Sequence, residues 1–410
     1  MHTELSAAHA HSSAARHAQE IIGKCVHCGF CLATCPTYQL LGNELDSPRG
    51  RIYLIKQMLE GAPASQVTMT HLDRCLTCRA CETTCPSGVQ YGKLVDIGRQ
   101  MLEVRPIRSP GERLVRSALG AALSRRAVFA AALRVGQWLR PLLPQAQALR
   151  IPARVRAAPT PAAARHARRM IMLQGCVQPA LAPNINAAAA RVFDRLGVSL
   201  ITVNDETCCG ALSHHLDATE RALAQARRNV DAWIKLLDGG AEAIVTTASG
   251  CGVMVKDYGE LLHHDPRYAA PARRVSMATR DLCEVLSVSD VAAIVGSRSR
   301  ELRSRVAWQS PCTLQHGQKL TARVEPLLEA AGFSLTPIRD PHLCCGSAGT
   351  YSILQRELSV RLRSAKLSAL QAATPAVIAT ANIGCLQHLA AAADVPVKHW
   401  IELIDEVSAT

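Results

Sequence analysis

Aromatic side chains are scarce in this 410-residue chain, 3% in all. That scarcity removes the stacking platforms on which single-stranded nucleic acids are held, and no zinc-finger or RNP-like motif takes their place. No run of about 18 apolar residues exists to span a bilayer. The first 20 residues, rich in Ala, His and Ser, lack the uninterrupted apolar core of a secretory signal. His2, His9, His11 and His17 fall there at irregular intervals, which reads as a frayed helix or flexible arm rather than a metal site. No G-x-G-x-x-G loop follows a strand, so neither FAD nor NAD has an evident home on this chain. Residues 103–169 hold no lysine and only two acids, Glu103 and Glu112, against fourteen arginines. The net charge of +13 is therefore local, and such a basic stretch suits an anionic surface, phospholipid or acidic protein, with no nucleic acid implied.

Cysteine, by contrast, is abundant at seventeen. Cys25, Cys28, Cys31 and Cys35-Pro36 form one run; Cys75, Cys78, Cys81 and Cys85-Pro86 form a second. Each reads C-x-x-C-x-x-C-x-x-x-C-P, the spacing of bacterial two-cluster ferredoxins. In that pattern three thiolates hold one cubane and the fourth ligates the other cluster. The expected sets are Cys25, Cys28, Cys31 and Cys85 for one 4Fe–4S cluster, and Cys75, Cys78, Cys81 and Cys35 for the other. Zinc knuckles usually stop at two cysteines each, and a disulfide framework belongs to small secreted domains. So many thiolate ligands require a reducing compartment during assembly. The expected location is cytoplasmic, with peripheral attachment at the cytoplasmic face of the inner membrane as the alternative.

The organisation expected is α+β overall. A flexible arm (1–19) precedes a helical two-cluster ferredoxin module (20–102), a helical Arg-rich connector (103–168) and two duplicated small α/β domains (169–300 and 301–410). Within the module, Asp46-Ser-Pro-Arg-Gly-Arg reads as a cap and turn before a helix over 52–60, with Arg49 and Arg51 placed either to balance cluster charge or as a solvated helix start. The connector's Leu114, Leu119, Leu123, Val128, Leu133 and Trp138 recur at helical intervals among Ala and Arg. They suit an arm packed on a partner subunit, or an amphipathic helix on an anionic membrane. A Pro/Ala/Arg-rich linker follows Pro141 up to residue 161.

The duplication is legible in the cysteines. Cys312 follows Cys176 by 136 residues, Cys344 follows Cys208 by 136, and Cys385 follows Cys251 by 134. Each copy runs strand, Cys, helix (186–196 or 321–331), strand, Cys-Cys-Gly, helix, strand (243–247 or 376–379), Cys. That alternation argues for small parallel sheets with the cysteines at one end. Four thiols per copy is a metal-site count: Cys176, Cys208, Cys209 and Cys251, then Cys312, Cys344, Cys345 and Cys385. Buried apolar cysteines or vicinal disulfides are the bland alternatives.

With Cys25-Val-His-Cys-Gly-Phe-Cys, Asp46-Ser-Pro-Arg-Gly-Arg and Cys344-Cys-Gly-Ser-Ala-Gly-Thr-Tyr in this order, the chain resembles the CCG-domain (cysteine-rich domain) redox proteins. Among them it is most similar to the iron–sulfur subunits of glycolate oxidase (glycolate dehydrogenase). The resemblance implies a separate FAD-containing glycolate oxidase subunit that oxidises glycolate to glyoxylate, with this chain relaying electrons towards a quinone or membrane acceptor. Subunits of anaerobic glycerol-3-phosphate or lactate dehydrogenase share the architecture, and a zinc-binding scaffold is the alternative of another class. One departure stands out. The full heterodisulfide-reductase pattern closes on Cys-x-x-Cys, where this chain has Met254 after Cys251 and His388 after Cys385. Imidazole is a good ligand and thioether a weak one, so the CCG domains are left open between a cluster, a zinc ion with His388 as added ligand, and no metal. His316 and His342 read as satisfied polar residues or as participants in a proton-coupled quinone step.

Overall fold

In the computed structural model, residues 1–103, 107–144, 151–161, 165–296 and 304–408 are described. The first module comprises α1 (Ser13–Gly23), α2 (Phe30–Thr34), α3 (Pro36–Leu41), α4 (Pro48–Leu59), α5 (Gln66–Asp73), α6 (Ala80–Thr84) and α7 (Tyr91–Glu103). The one-turn helices α2 and α6 carry the third cysteine of each run, and the longer helices bury Ile22, Ile55, Leu59, Leu72 and Leu94 beneath them. Helix α4 begins four residues ahead of the expected 52–60. Ser47 caps it by accepting from Gly50 N at 3.0 Å, and Pro48 supplies the fixed φ of the first turn. Gly50 is required there, because a Cβ would lie 2.0 Å from the Glu44 carbonyl oxygen.

The segment read as a flexible arm is packed onto this module. Ala15, Ala18, Ile21 and Ile22 form one apolar stripe of α1, a periodicity that the alanine-rich composition conceals. The Met1 amino group donates to Cys25 O at 2.8 Å, and Ser6 N to Leu59 O at 3.0 Å.

The connector forms α8 (Pro110–Ser124), opened by a Ser109/Glu112 capping box, and α9 (Arg126–Leu139). Several of its arginines turn inward to acids of this same chain. Arg108 and Arg116 reach Asp73 at 2.5 and 3.1 Å, and Arg126 reaches Glu206 at 3.0 Å. Leu114, Trp138 and Leu142 are exposed, each by more than two thirds. Part of the linker expected after Pro141, residues 145–150, lies outside the described residues, as does the domain boundary expected at 300/301.

Two parallel sheets follow. Strands β1 (Arg168–Leu173), β2 (Val198–Ile201), β3 (Ile244–Thr246) and β4 (Thr279–Asp281) lie in the order β2-β1-β3-β4. Strands β5 (Arg305–Gln309), β6 (Ser334–Leu335), β7 (Val377–Thr380) and β8 (Val397–His399) repeat it as β6-β5-β7-β8. Helix Asn184–Arg195 matches the expected 186–196, whereas its counterpart spans only Glu325–Ala330. In that second copy the chain turns first, with Ala322 in the left-handed region at φ 55°. The two units meet across one apolar core that includes Met172, Val245, Trp308 and Ala379. Their strand C-termini are stitched together by Ser249 Oγ and Thr313 Oγ1 at 2.7 Å and by Gly250 N donating to Asn382 Oδ1 at 3.2 Å. The class is α+β, with a helical module and connector ahead of two small parallel α/β units.

Candidate metal centres

The two ferredoxin-type loops share one backbone conformation. In the first, His27 and Gly29 have φ of 56° and 85°; in the second, Thr77 and Arg79 have 52° and 59°. Alternating left-handed residues turn successive N–H groups towards one centre, the nest that suits an anionic sulfur cluster. A β-branched residue at positive φ, as Thr77 is, is an outlier held only by strong surroundings. Here Arg99 donates to Thr77 Oγ1 at 2.9 Å and to Cys75 O at 2.7 Å.

Cys25, Cys28, Cys31, Cys81 and Cys85 border one small cavity. Cys28 is exposed, and Val26 and Phe30 beside it are 68% and 61% exposed. The other set lies deeper. Cys35, Cys75 and Cys81 are buried, and all four thiols of Cys35, Cys75, Cys78 and Cys81 lie close enough to repel one another as thiolates. Burial pushes the Cys31 thiol up to about 11, with Cys25 and Cys35 adding to it. Burial raises Cys78 and Cys81 as well, and Cys312 contributes at Cys78. Such thiols hold their protons at neutral pH until a metal displaces them, which is the chemistry expected of cluster ligands.

Around the deeper set stands a polar shell that the sequence pattern did not point to. Asp46, fully buried, receives Arg51 Nη2 at 3.4 Å, His71 Nδ1 at 2.9 Å and Arg74 Nη1 at 3.1 Å. Arg51 also donates to His71 O at 2.7 Å and Thr37 Oγ1 at 3.1 Å, and Tyr91 donates its hydroxyl to Cys75 Sγ at 3.6 Å. Thus Asp46-Ser-Pro-Arg-Gly-Arg is more than a cap. Its Asp and second Arg are buried beside Cys35, while Arg49 pairs with Glu44 at 2.5 Å near the surface.

The duplicated boxes bring their thiols together in matching fashion. In the first, Cys176 and Cys208 are 3.5 Å apart and Cys209 contacts Cys251. In the second, Cys312 and Cys344 are 3.8 Å apart, and Cys345 and Cys385 3.2 Å. Gly210 and Gly346 turn both boxes with φ of 93° and 87°. A Cβ on Gly346 would meet Ser359 O at 2.7 Å. Buried Lys366 lies beside the second quartet, bonded to Pro341 O at 3.0 Å. Among the described residues no three Cys, His, Asp or Glu side chains converge on a single-ion position.

Both quartets, together with Cys75 and Cys78, line one cavity of about 790 Å³. The second cysteine loop seats directly on the second box. Leu76 packs with Cys344, Tyr351 and Leu362, with Cys78 and Cys312 alongside, and Tyr351 donates to Arg74 O at 3.2 Å.

The remaining candidates fall differently. His388 contacts the Ser359 hydroxyl at 3.2 Å through Nε2, facing helix Arg356–Gln371, and Met254 is buried against Gly210. His316 bridges modules, with Nδ1 at 3.0 Å from Thr83 Oγ1 and Nε2 at 3.0 Å from His342 O. Neither His316 nor His342 lines the large cavity. Sequence reasoning passed over His214, whose Nε2 is 3.2 Å from Asp96 Oδ2 in that cavity's wall. Its only linear signal is an ordinary His-His pair.

Comparison with known proteins agrees with this layout. Residues 21–89 match the 4Fe-4S dicluster domain, and residues 170–256 and 306–390 match the cysteine-rich domain. The glycolate oxidase iron-sulfur subunit of Escherichia coli (strain K12) is 51% identical over 407 residues, 99% of each chain. A probable glycolate oxidase iron-sulfur subunit of Bacillus subtilis (strain 168) is 30% identical over 88% of this chain and 87% of its own. Lactate utilization protein A of Geobacillus kaustophilus (strain HTA426) is 26% identical over 50% of this chain and 83% of its own.

Proposed function

The chain belongs to the family of glycolate oxidase iron–sulfur subunits, and on that premise we propose that it is the electron-transfer subunit of a flavin-linked glycolate dehydrogenase. A separate FAD subunit oxidises glycolate to glyoxylate, and this chain passes the electrons towards a quinone. Cys25, Cys28, Cys31 and Cys85 hold one 4Fe–4S cluster; Cys75, Cys78, Cys81 and Cys35 hold the other. Each cluster carries one electron at a time, dividing the flavin's two-electron reduction into single steps.

The observation that carries this reading is a continuous line of cysteines. It starts at exposed Cys28, runs through the buried second loop, and ends at Cys78 packed beside Cys312 and Cys344. The exposed end, with Val26 and Phe30, is the side for the flavin subunit. The protein's residues serve by holding and orienting the clusters and by excluding water from the deeper one. His388 lines the same cavity as the second quartet, with its Nε2 engaged by Ser359. Peripheral attachment to the inner membrane goes with a quinone acceptor; no helix among the described residues is long and apolar enough to cross a membrane.

The test is Cys78→Ser in the assembled complex. Glycolate should still reduce the flavin while electron delivery to quinone is lost. Flavin reduced by lactate or glycerol 3-phosphate but not by glycolate would overturn the substrate; unimpaired delivery to quinone would overturn the relay.

A further inference from the structure

The cavity of about 790 Å³ is within the usual size range of small-molecule sites, part of it belonging to the cluster assigned to Cys75 and Cys78, and four parts of the fold build it: the ferredoxin module, the connector and both α/β units. Ile97 of α7, Leu123 of α8, Leu181, Leu212, Met254 and Ile383 give it an apolar lining. Cys75 and Cys78 share its lining with both quartets, so an occupant shares the cavity with the cluster those two cysteines hold. One wall is polar. There α7 brings Asp96 and helix Ala211–His215 brings His214, with Asp96 Oδ2 and His214 Nε2 3.2 Å apart. The other ring nitrogen, His214 Nδ1, is buried and has no hydrogen-bond partner. Burying such a group unpaired is costly, so an oxygen-bearing ligand at this wall would relieve it.

We propose that this cavity is the acceptor site of the chain, taking the head group of an apolar quinone, with His214 as the catalytic residue that protonates it and Asp96 as the positioning residue behind it. The proposal rests on the electron-relay reading above. A mostly apolar cavity without a phosphate-binding loop disfavours a nicotinamide dinucleotide. The overall change is quinone plus two electrons plus two protons to quinol. The electrons are those delivered by the relay. The first proton passes from His214 Nδ1–H to a quinone oxygen. The imidazole is reprotonated from solvent while Asp96 holds Nε2–H, and the second proton follows the same route. Burial works to lower the His214 pKa, but its bond to Asp96 carries it above the ordinary value, so the proton is available near neutral pH.

The test uses the full cluster-loaded chain reduced with dithionite, so neither glycolate nor a flavin subunit takes part. Failure of the substrate assignment therefore leaves this result standing. An azido-substituted decylubiquinone should photolabel peptides from 91–103 or 211–215; labelling only elsewhere, or none, overturns the site. Re-oxidation by decylubiquinone is then compared with re-oxidation by ferricyanide. His214→Asn should lower the quinone-to-ferricyanide rate ratio by about 100-fold, the usual size of a lost general acid. Leu212→Trp, which fills the cavity, should weaken quinone saturation without that loss at saturating quinone. An unchanged ratio and unchanged saturation in these variants would overturn the proposal.

Discussion

Arg51 directs Nη1 at Cys35 Sγ from 4.0 Å, with its side chain 1% exposed. A buried cation beside a sulfur that ligates a cluster stabilises the reduced, more negative state and raises the potential. The single carboxylate of Asp46 does not cancel it, because Arg74 and His71 share that carboxylate.

Arg51→Gln should therefore lower the midpoint potential of the cluster held by Cys35, by roughly 60 mV or more, one decade for a one-electron couple. Tyr91→Phe, which removes the hydroxyl donor to Cys75 Sγ, should shift it the same way by less. EPR-monitored redox titration reads both, and a shift confined to the other cluster would reverse the assignment of Cys35.

Gly346→Ala should destabilise the second α/β unit by about 1–3 kcal/mol, because its Cβ would stand 2.7 Å from Ser359 O. Gly50→Ala should cost at least as much, with Glu44 O at 2.0 Å. Gly111→Ala, with nothing within 4 Å, is the control and should leave the melting temperature unchanged. Thermal unfolding of the three variants separates these outcomes.

His399 links stability to pH. It is 1% exposed, and burial lowers its pKa from 6.5 to about 3. The folded state thus prefers the neutral ring. Its contribution is fully present above pH 6.5 and is lost as pH falls towards 3. By pH 5 the loss from this residue should reach about 2 kcal/mol. His399→Gln should flatten the fall in denaturation midpoint between pH 7 and pH 5; an unaltered slope would assign the dependence to other groups.

The cysteine spacing made the two-cluster module and the duplication legible, because thiolate geometry imposes its spacing on the chain directly. The fourth strands were not legible. Thr279-Arg-Asp and Val397-Lys-His are three-residue segments without an apolar run, and only pairing with β3 and β7 makes them strands. The polar shell was equally hidden. Asp46, Arg51 and Arg74 look like an ordinary helix start and a surface arginine until α4 and α5 pack and bury the carboxylate. His214 and Asp96, 118 residues apart in sequence, meet only when the module docks on the first α/β unit.

The most direct measurement is iron, zinc and acid-labile sulfide per chain after anaerobic purification, with EPR of the dithionite-reduced protein. The result expected is at least about eight irons, matching sulfide, and interacting 4Fe–4S signals. Iron above that number should disappear with Cys345→Ser if the quartets hold it. A zinc-rich sample that stays EPR-silent after cluster reconstitution would contradict the electron-relay function.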